Sequence, residues 1–368
     1  MGNSNSNEKN YHDQIQIEQT LKLREVLTTL PPFCKNFFRG IDNNMSARTK
    51  LGYALDLRIF FEFLHENNSV LKQMPITEYP LSILDQITKE DIEEYMEYLS
   101  YYKKDGKEYT NDERGKARKL ASLRSFYNYF YTSELIEKNP AALMKMPKLH
   151  EKEIIRLDPD EVAILLDAVE NGDHLTKSEL KYHAKTKKRD LALLTLLLGT
   201  GIRVSECVGL DIQDVDFKNN GIKIRRKGGY EAVVYFGDEV EKALKDYLVQ
   251  RNEIIPESGH ENALFLSMQN RRITVRSVEN LVKKYAGKVT SLKKITPHKL
   301  RSTYGTTLYQ ETGDIYLVAD VLGHKDVNTT RKHYAAQADS RRRRAANVVK
   351  LRSNADTDHT PADTSDDK

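Results

Sequence analysis

Two histidines, an arginine and a tyrosine stand close together near the end of this chain, in the stretch from Thr296 to Tyr334. Thr296-Pro297 reads as a helix start, because a threonine side chain can cap the first free N–H groups and a proline at the first helical position forfeits no bond. His298 and Arg301 are three residues apart, so they emerge on one helix face and are expected to converge on one small anion. A second helix is expected from Asp314 to Leu322, ended by Gly323, which puts His324 on a tight turn. Asp326 to Tyr334 reads as a third short helix with Tyr334 at its far end. Guanidinium and imidazole groups hold anionic oxygens, and a phenol can attack phosphorus. Each piece alone is ordinary: a His-x-x-Arg pair is more often a surface pair, and one tyrosine among 20 is usually a half-buried packing residue.

A second group of such residues lies upstream. Arg189 to Leu198 reads as a short, nearly all-apolar core helix, ended by Gly199-Thr200-Gly201, and Arg203 opens the next segment. An arginine set at a helix start by a Gly-x-Gly turn is placed to hold a phosphate; an exposed capping arginine fits that segment equally well. Gly221 to Gly237 alternates as a strand (Ile222, Ile224), turns at Gly228-Gly229 and returns as Ala232 to Phe236, with Lys227 at the hairpin tip. Most hairpin lysines serve only solubility.

The order of the pieces says more than any one of them. TPHKLRSTYGTTL followed by VADVLGHKDVNTTRKHY, with His324 and Tyr334 ten residues apart, resembles the tyrosine recombinase (phage integrase) family. GTGIRVSEC is similar to that family's first arginine motif. The resemblance covers roughly residues 15 to 350 and is closest to the compact Xer-type recombinases that resolve chromosome dimers in Gram-positive bacteria. It implies that Tyr334 is the nucleophile that forms a covalent 3′-phosphotyrosine, that Lys227 is the general acid and that Glu206 steadies the site. Arg203, Arg301 and His324 would stabilise the extra negative charge on the nonbridging oxygens, and His298 would assist the tyrosine, whose ordinary pKa of about 10 makes it a poor nucleophile unaided. Arg-Lys-Gly-Gly is shorter than the family's common loop, so Arg225 and Arg226 compete with Lys227 for that role. Neither metal nor cofactor is implied, because the arginines do what Mg²⁺ does elsewhere.

The rest of the chain must position these groups. At 368 residues, with 39% hydrophobic and 8% aromatic content, it is long enough for two domains. Charged residues make up 30% but the net charge is only +4, so affinity for nucleic acid must come from where Lys and Arg are placed. Cys34 and Cys207 show neither a paired framework nor metal spacing, no apolar run could span a bilayer, and the start is polar; a cytoplasmic protein in a reducing compartment, with no membrane partner, is expected.

Residues 1–14 are expected to be disordered, 15–146 to form a helical core-binding domain, 147–156 a linker, 157–350 the catalytic domain and 351–368 a disordered tail. In the first domain, apolar residues recur at helical spacing from Ile15 to Ile41 until Pro31-Pro32 interrupts them. Ser46 to Leu64 is an amphipathic helix with Tyr53, Leu57, Phe60, Phe61 and Leu64 in one stripe and Arg48, Lys50 and Arg58 off it. Another helix starts at a capping-box-like Thr88. A fourth, from about Asn111 to Tyr131, turns Leu120, Leu123, Tyr127 and Phe130 inward, with Arg114, Lys116, Arg118, Lys119 and Arg124 opposite. A solvated face is the simpler reading of such a helix alone. Beside the resemblance it becomes a DNA-facing surface, with Arg48, Lys50, Arg118, Lys119 and Arg124 as DNA contacts. In the second domain Asp158 and Pro159 start a helix, further helices are expected at 238–252 and 274–289, and a strand at 263–266.

The fold expected is therefore mainly α with a small β-hairpin in the catalytic domain, and the resemblance makes it a two-domain C-shaped clamp around duplex DNA. It also implies a pseudo-palindromic recombination site, a homodimer on one site, a homotetramer in the synapse, and a DNA translocase as a further partner. Ala335 to Lys350, with Arg341 to Arg344 inside it, is expected to form a helix that docks on the adjacent protomer. An integrase or resolvase of a mobile element shares these motifs. The rivals from other classes are a type IB topoisomerase and a DNA-binding protein without catalysis.

Overall fold

In the computed structural model, residues 10–41, 45–150, 155–226, 228–290, 293–324, 326–328 and 330 are described. The chain separates into two units, residues 1–153 and 154–368.

The first unit is built from helices around an aromatic core. Its first helix, α1 (Tyr11–Leu27), begins inside the stretch expected to be disordered, because Asn10 caps it: the Asn10 side chain accepts from the Asp13 N–H at 3.0 Å. After Pro31-Pro32 come α2 (Cys34–Gly40), α3 (Ala47–Asn67), the short α4 (Ile83–Gln86) and α5 (Lys89–Tyr98). Thr88 starts α5 as expected, its N–H donating to Asp91 Oδ2 at 2.7 Å in a reciprocal capping box. A hairpin that the sequence reading passed over follows, β1 (Tyr101–Lys104) paired antiparallel with β2 (Lys107–Thr110). Its turn is Asp105-Gly106, with φ of 49° and 71°, the left-handed pair that matches strand twist. Then come α6 (Glu113–Thr132) and α7 (Pro140–Leu143). Phe33, Phe37, Phe61, Phe126 and Phe130 meet edge to face at the centre, Phe126 and Phe130 with centroids 5.1 Å apart and Phe37 and Phe126 at 5.2 Å.

The second unit starts with α8 (Pro159–Asn171), whose Asp158 N–H donates to Glu161 Oε2 at 2.8 Å. Next is α9 (Lys177–Thr200), 24 residues long, of which only the apolar second half was expected. Thr176 and Glu179 form a capping box that starts its polar half. The short α10 (Val204–Val208) leads into a three-stranded antiparallel sheet, β3 (Val215–Asp216), β4 (Gly221–Arg225) and β5 (Glu231–Tyr235), in that order. Helices α11 (Asp238–Asn252) and α12 (Val275–Val289) follow, with Leu244, Tyr247, Val282 and Tyr285 buried. The strand expected at 263–266 is not one: it is reduced to isolated bridges, Asp211 with Ala263 and Leu266 with Arg272. The chain then forms α13 (Pro297–Thr312) and α14 (Ile315–Leu322). Pro297 opens α13 as expected, but the Thr296 side chain makes no cap; its carbonyl instead accepts from the Lys299 N–H at 2.8 Å. Among the described residues no helix is long and apolar enough to cross a membrane.

Candidate active site

Among the described residues of the second unit, three arginines and a histidine gather at the end of α14. Asp314 starts that helix by accepting from the N–H groups of Tyr316 and Leu317, at 2.8 and 3.1 Å. Gly323 ends it with φ of 62°, in a left-handed turn where the Gly323 N–H donates to Asp320 O at 2.8 Å and the His324 N–H to Ala319 O at 2.9 Å. That closure leaves the carbonyls of Val321, Leu322 and Gly323 without helical partners and with the partial negative charge of a helix C-terminus. Three arginines from three other elements take them in turn. Arg226, at the end of β4, donates through Nη2 to Val321 O at 2.8 Å; Arg301, from α13, donates to Leu322 O; Arg203, at the start of α10, donates through Nη2 to Gly323 O at 3.3 Å.

Each guanidinium has a second anchor or a tight wall. Arg301 is 4% exposed and its Nη1 also donates to Gly201 O at 2.6 Å, so it joins the end of α9 to the end of α14. Arg203 forms an ion pair with the buried Glu206, Nη1 to Oε1 at 2.7 Å, and its backbone N–H reaches the other oxygen of that carboxylate at 2.7 Å. Glu206 thus starts α10 and fixes the arginine plane together. Gly201, with φ of 63°, allows the close approach that this needs, because a Cβ there would collide with the Tyr304 ring and meet Leu322. His324 follows the turn, its Nδ1 2.7 Å from Thr330 Oγ1, which holds the ring plane. A cleft of about 410 Å³ opens beside it, lined by Arg226, Tyr230, Val234, Tyr304, Gly323 and His324 among others.

Arg203, Glu206, Arg301 and His324 are therefore assembled from three segments: the start of α10, α13 and the turn after α14. His298 is exposed in the first turn of α13, while Arg301, one turn on, is buried. Lys227, Tyr334 and the 335–350 segment lie outside the described residues. Of the other tyrosines on α13, Tyr304 is occupied as a packing wall; its burial pushes the phenol pKa up, the opposite of what a nucleophile needs. The sequence reading treated Arg226 only as a rival to Lys227. A signal for its inward direction was present: the alternation that buries Ile222 and Ile224 continues to Arg226, which is 7% exposed.

In the first unit the expected DNA-facing cations are mostly engaged internally. Lys119 is buried, 6% exposed, and its Nζ donates to Asn111 Oδ1 at 2.6 Å. It stands four residues before Leu123 and seven before Phe126, which places it on the edge of the buried stripe rather than opposite it. Arg124 is half-buried and donates to the carbonyls of Ala141, at 3.1 Å, and Met144, tying α6 to α7. Arg118 pairs with Asp56, a carboxylate 2% exposed inside α3 that also accepts from Ser122 Oγ at 2.7 Å. Lys50 is half-buried and Arg48 is exposed.

Fixed guanidiniums and an imidazole around one turn, on a helical frame with a small antiparallel sheet, make a site whose chemistry suits an anion such as a phosphodiester. Comparison with known proteins narrows this. The phage integrase family matches residues 155–341. A tyrosine recombinase XerC of Caldanaerobacter subterraneus subsp. tengcongensis is 35% identical over 328 residues, which cover 86% of this chain and 86% of the relative. A tyrosine recombinase XerC of Thermodesulfovibrio yellowstonii is 37% identical over 218 residues, 58% of this chain and 69% of the relative. Among solved structures, a XerH site-specific recombinase in a pre-cleavage complex with its difH substrate shares the fold, with a TM-score of 0.59 and 21% identity over 83% of this chain and 80% of that one. The chain belongs to the phage integrase family, the tyrosine recombinases.

Proposed function

We propose that this protein recombines DNA at a specific site by cutting one strand at a time through Tyr334. The phenolic oxygen would attack the scissile phosphorus and form a 3′-phosphotyrosyl link while the bond to the 5′-oxygen breaks. A 5′-hydroxyl from the partner duplex would then reverse the step. Arg203, Arg301 and His324 stabilise the charge that builds on the nonbridging oxygens. His298 assists the tyrosine, and Lys227 gives the leaving 5′-oxygen its proton. One observation carries the reading: separate elements deliver Arg203, Arg301 and His324 to a single turn, with the guanidinium planes set before DNA arrives.

On this reading the substrate is duplex DNA with a pseudo-palindromic site, bound by a homodimer and joined in a homotetramer, and no metal or ATP takes part. Relatives named tyrosine recombinase XerC favour a chromosomal Xer role, the resolution of chromosome dimers at cell division, over the integration or resolution of a mobile element; the licensing partner in that role would be a DNA translocase. A nicked suicide duplex tests the chemistry. The wild type is expected to accumulate a covalent adduct, and Tyr334→Phe to bind the same duplex without forming any; adduct in that variant would move the nucleophile elsewhere. Strand exchange between two labelled duplexes is expected, and relaxation of supercoils without exchange would favour a type IB topoisomerase.

A further inference from the structure

We infer that Arg226 is a positioning residue that ties the β4–β5 hairpin to the turn carrying His324, and so sets where Lys227, next in the chain, can deliver its proton. The inference rests on the reading of Lys227 as the general acid. Arg226 is held at both ends. Its backbone closes the hairpin loop: its N–H donates to Tyr230 O at 2.9 Å and its carbonyl accepts from the Gly229 N–H at 3.0 Å. Its side chain leaves the hairpin, is buried, and donates to Val321 O at 2.8 Å in the last turn of α14. The guanidinium lies so close to Gly323 that a Cβ there would overlap it, so the left-handed residue before His324 is also the floor on which Arg226 rests.

One residue thus joins two elements that are 95 positions apart in the chain. A hairpin fixed only at its base would leave its tip free to swing, and a proton donor displaced by about 1 Å can lose roughly a hundredfold in rate. The Val321 contact anchors the hairpin one residue before the lysine. The same contact faces the turn that carries the imidazole, so the end of β4 and the phosphate-binding groups share one reference point. An arginine that served only stability would not single out the proton-transfer step.

The step can be isolated chemically. When tyrosine attacks phosphorus, the P–O5′ bond breaks and the leaving oxygen takes a proton from Lys227. A duplex with sulfur in place of that bridging oxygen expels a thiolate, which departs without one. Single-turnover cleavage of both duplexes is measured for the wild type, Lys227→Ala, Arg226→Gln and Arg226→Lys, with half-site binding and circular dichroism as checks on folding. Arg226→Gln is expected to lose on the order of ten- to a hundredfold on the oxygen duplex, at unchanged binding, and to regain most of it on the sulfur duplex. Arg226→Lys, which can still reach one carbonyl, is expected to fall between, and it carries the test if the glutamine variant does not fold. Equal losses on both duplexes beside a sulfur-rescued Lys227→Ala would overturn the inference alone. A Lys227→Ala protein that sulfur does not rescue would remove the acid role from Lys227, and the inference with it.

Discussion

The two units use their cations in opposite ways. On α6, Arg118, Lys119 and Arg124 look like a binding face in the sequence, yet each is drawn to a different partner inside its own unit: Asp56, Asn111, and the carbonyls of Ala141 and Met144. In the second unit Arg203, Arg226 and Arg301 are scattered over the sequence and meet at three consecutive carbonyls, 321 to 323. Charge that clusters along a helix reports little about function. Charge that converges from separate elements does, because several independent chain paths had to be arranged to bring it there.

The largest effect that would sharpen this contrast is on catalysis. Arg301→Ala is expected to cost about 2–4 kcal/mol of transition-state stabilisation in single-turnover cleavage, with half-site binding nearly kept. Arg124→Ala should lower the stability of the first unit and leave the cleavage rate of folded, DNA-saturated protein unchanged. If Arg124→Ala slowed saturated cleavage as much as Arg301→Ala, the contrast would be void.

A smaller effect concerns Arg118, whose loss would leave Asp56 buried without its cation. Because the Arg118 side chain is itself 55% exposed, the destabilisation expected in urea unfolding is only about 1–2 kcal/mol. A gain in stability would mean the pair is not worth its desolvation.

Asp56 adds a pH signature. Burial pushes its carboxyl pKa up, against the opposing pull of Ser122 and Arg118. A folded pKa above the unfolded one gives stability that is fully present below the unfolded carboxylate value and is lost as pH rises through the folded value. Asp56→Asn should flatten that decline across the carboxylate range and the region just above it. A variant whose unfolding midpoint keeps the wild-type slope there would acquit Asp56.

The smallest effect belongs to Arg48, exposed at the start of α3. Arg48→Ala should weaken DNA binding about equally on all sequences and reduce the salt slope by about one. Unchanged affinity and slope would leave Arg48 with Lys119 and Arg124 among the cations that serve the fold.

Much of this was legible wherever a residue has one conformational use. Pro297 marked the start of α13 and Gly323 the end of α14, because proline and left-handed glycine punctuate helices regardless of tertiary context; α9 runs through Gly199 to Thr200, two residues past the expected Leu198, and stops only at the left-handed Gly201. The Asp105-Gly106 hairpin was missed although its turn is a strong signal: its strands, YYKK and KEYT, are mostly exposed and have no apolar alternation to reveal them. The polar first half of α9 was missed for the same reason, since only its capping pair Thr176 and Glu179 announces it. Lys119 was misplaced by its charge, which a helical wheel would have overruled. Arg203 and Arg301 were readable as residues, but their carbonyl partners were not, because a contact across 100 positions of sequence leaves no local trace.

That separation also bears on when the site comes into being. The links from Arg203 to Gly323, Arg301 to Gly201 and Arg226 to Val321 close loops of 120, 100 and 95 residues. Contacts of such range form late, after the local helices and hairpins, because each must repay the entropy of closing a long loop. A chain still emerging from synthesis, or one that has formed its helices without closing those loops, can touch DNA through its surface lysines but has no gathered set of cations around a phosphate. For an enzyme that breaks DNA, folding order then acts as a safety catch, with cutting competence arriving only when the whole second unit is complete.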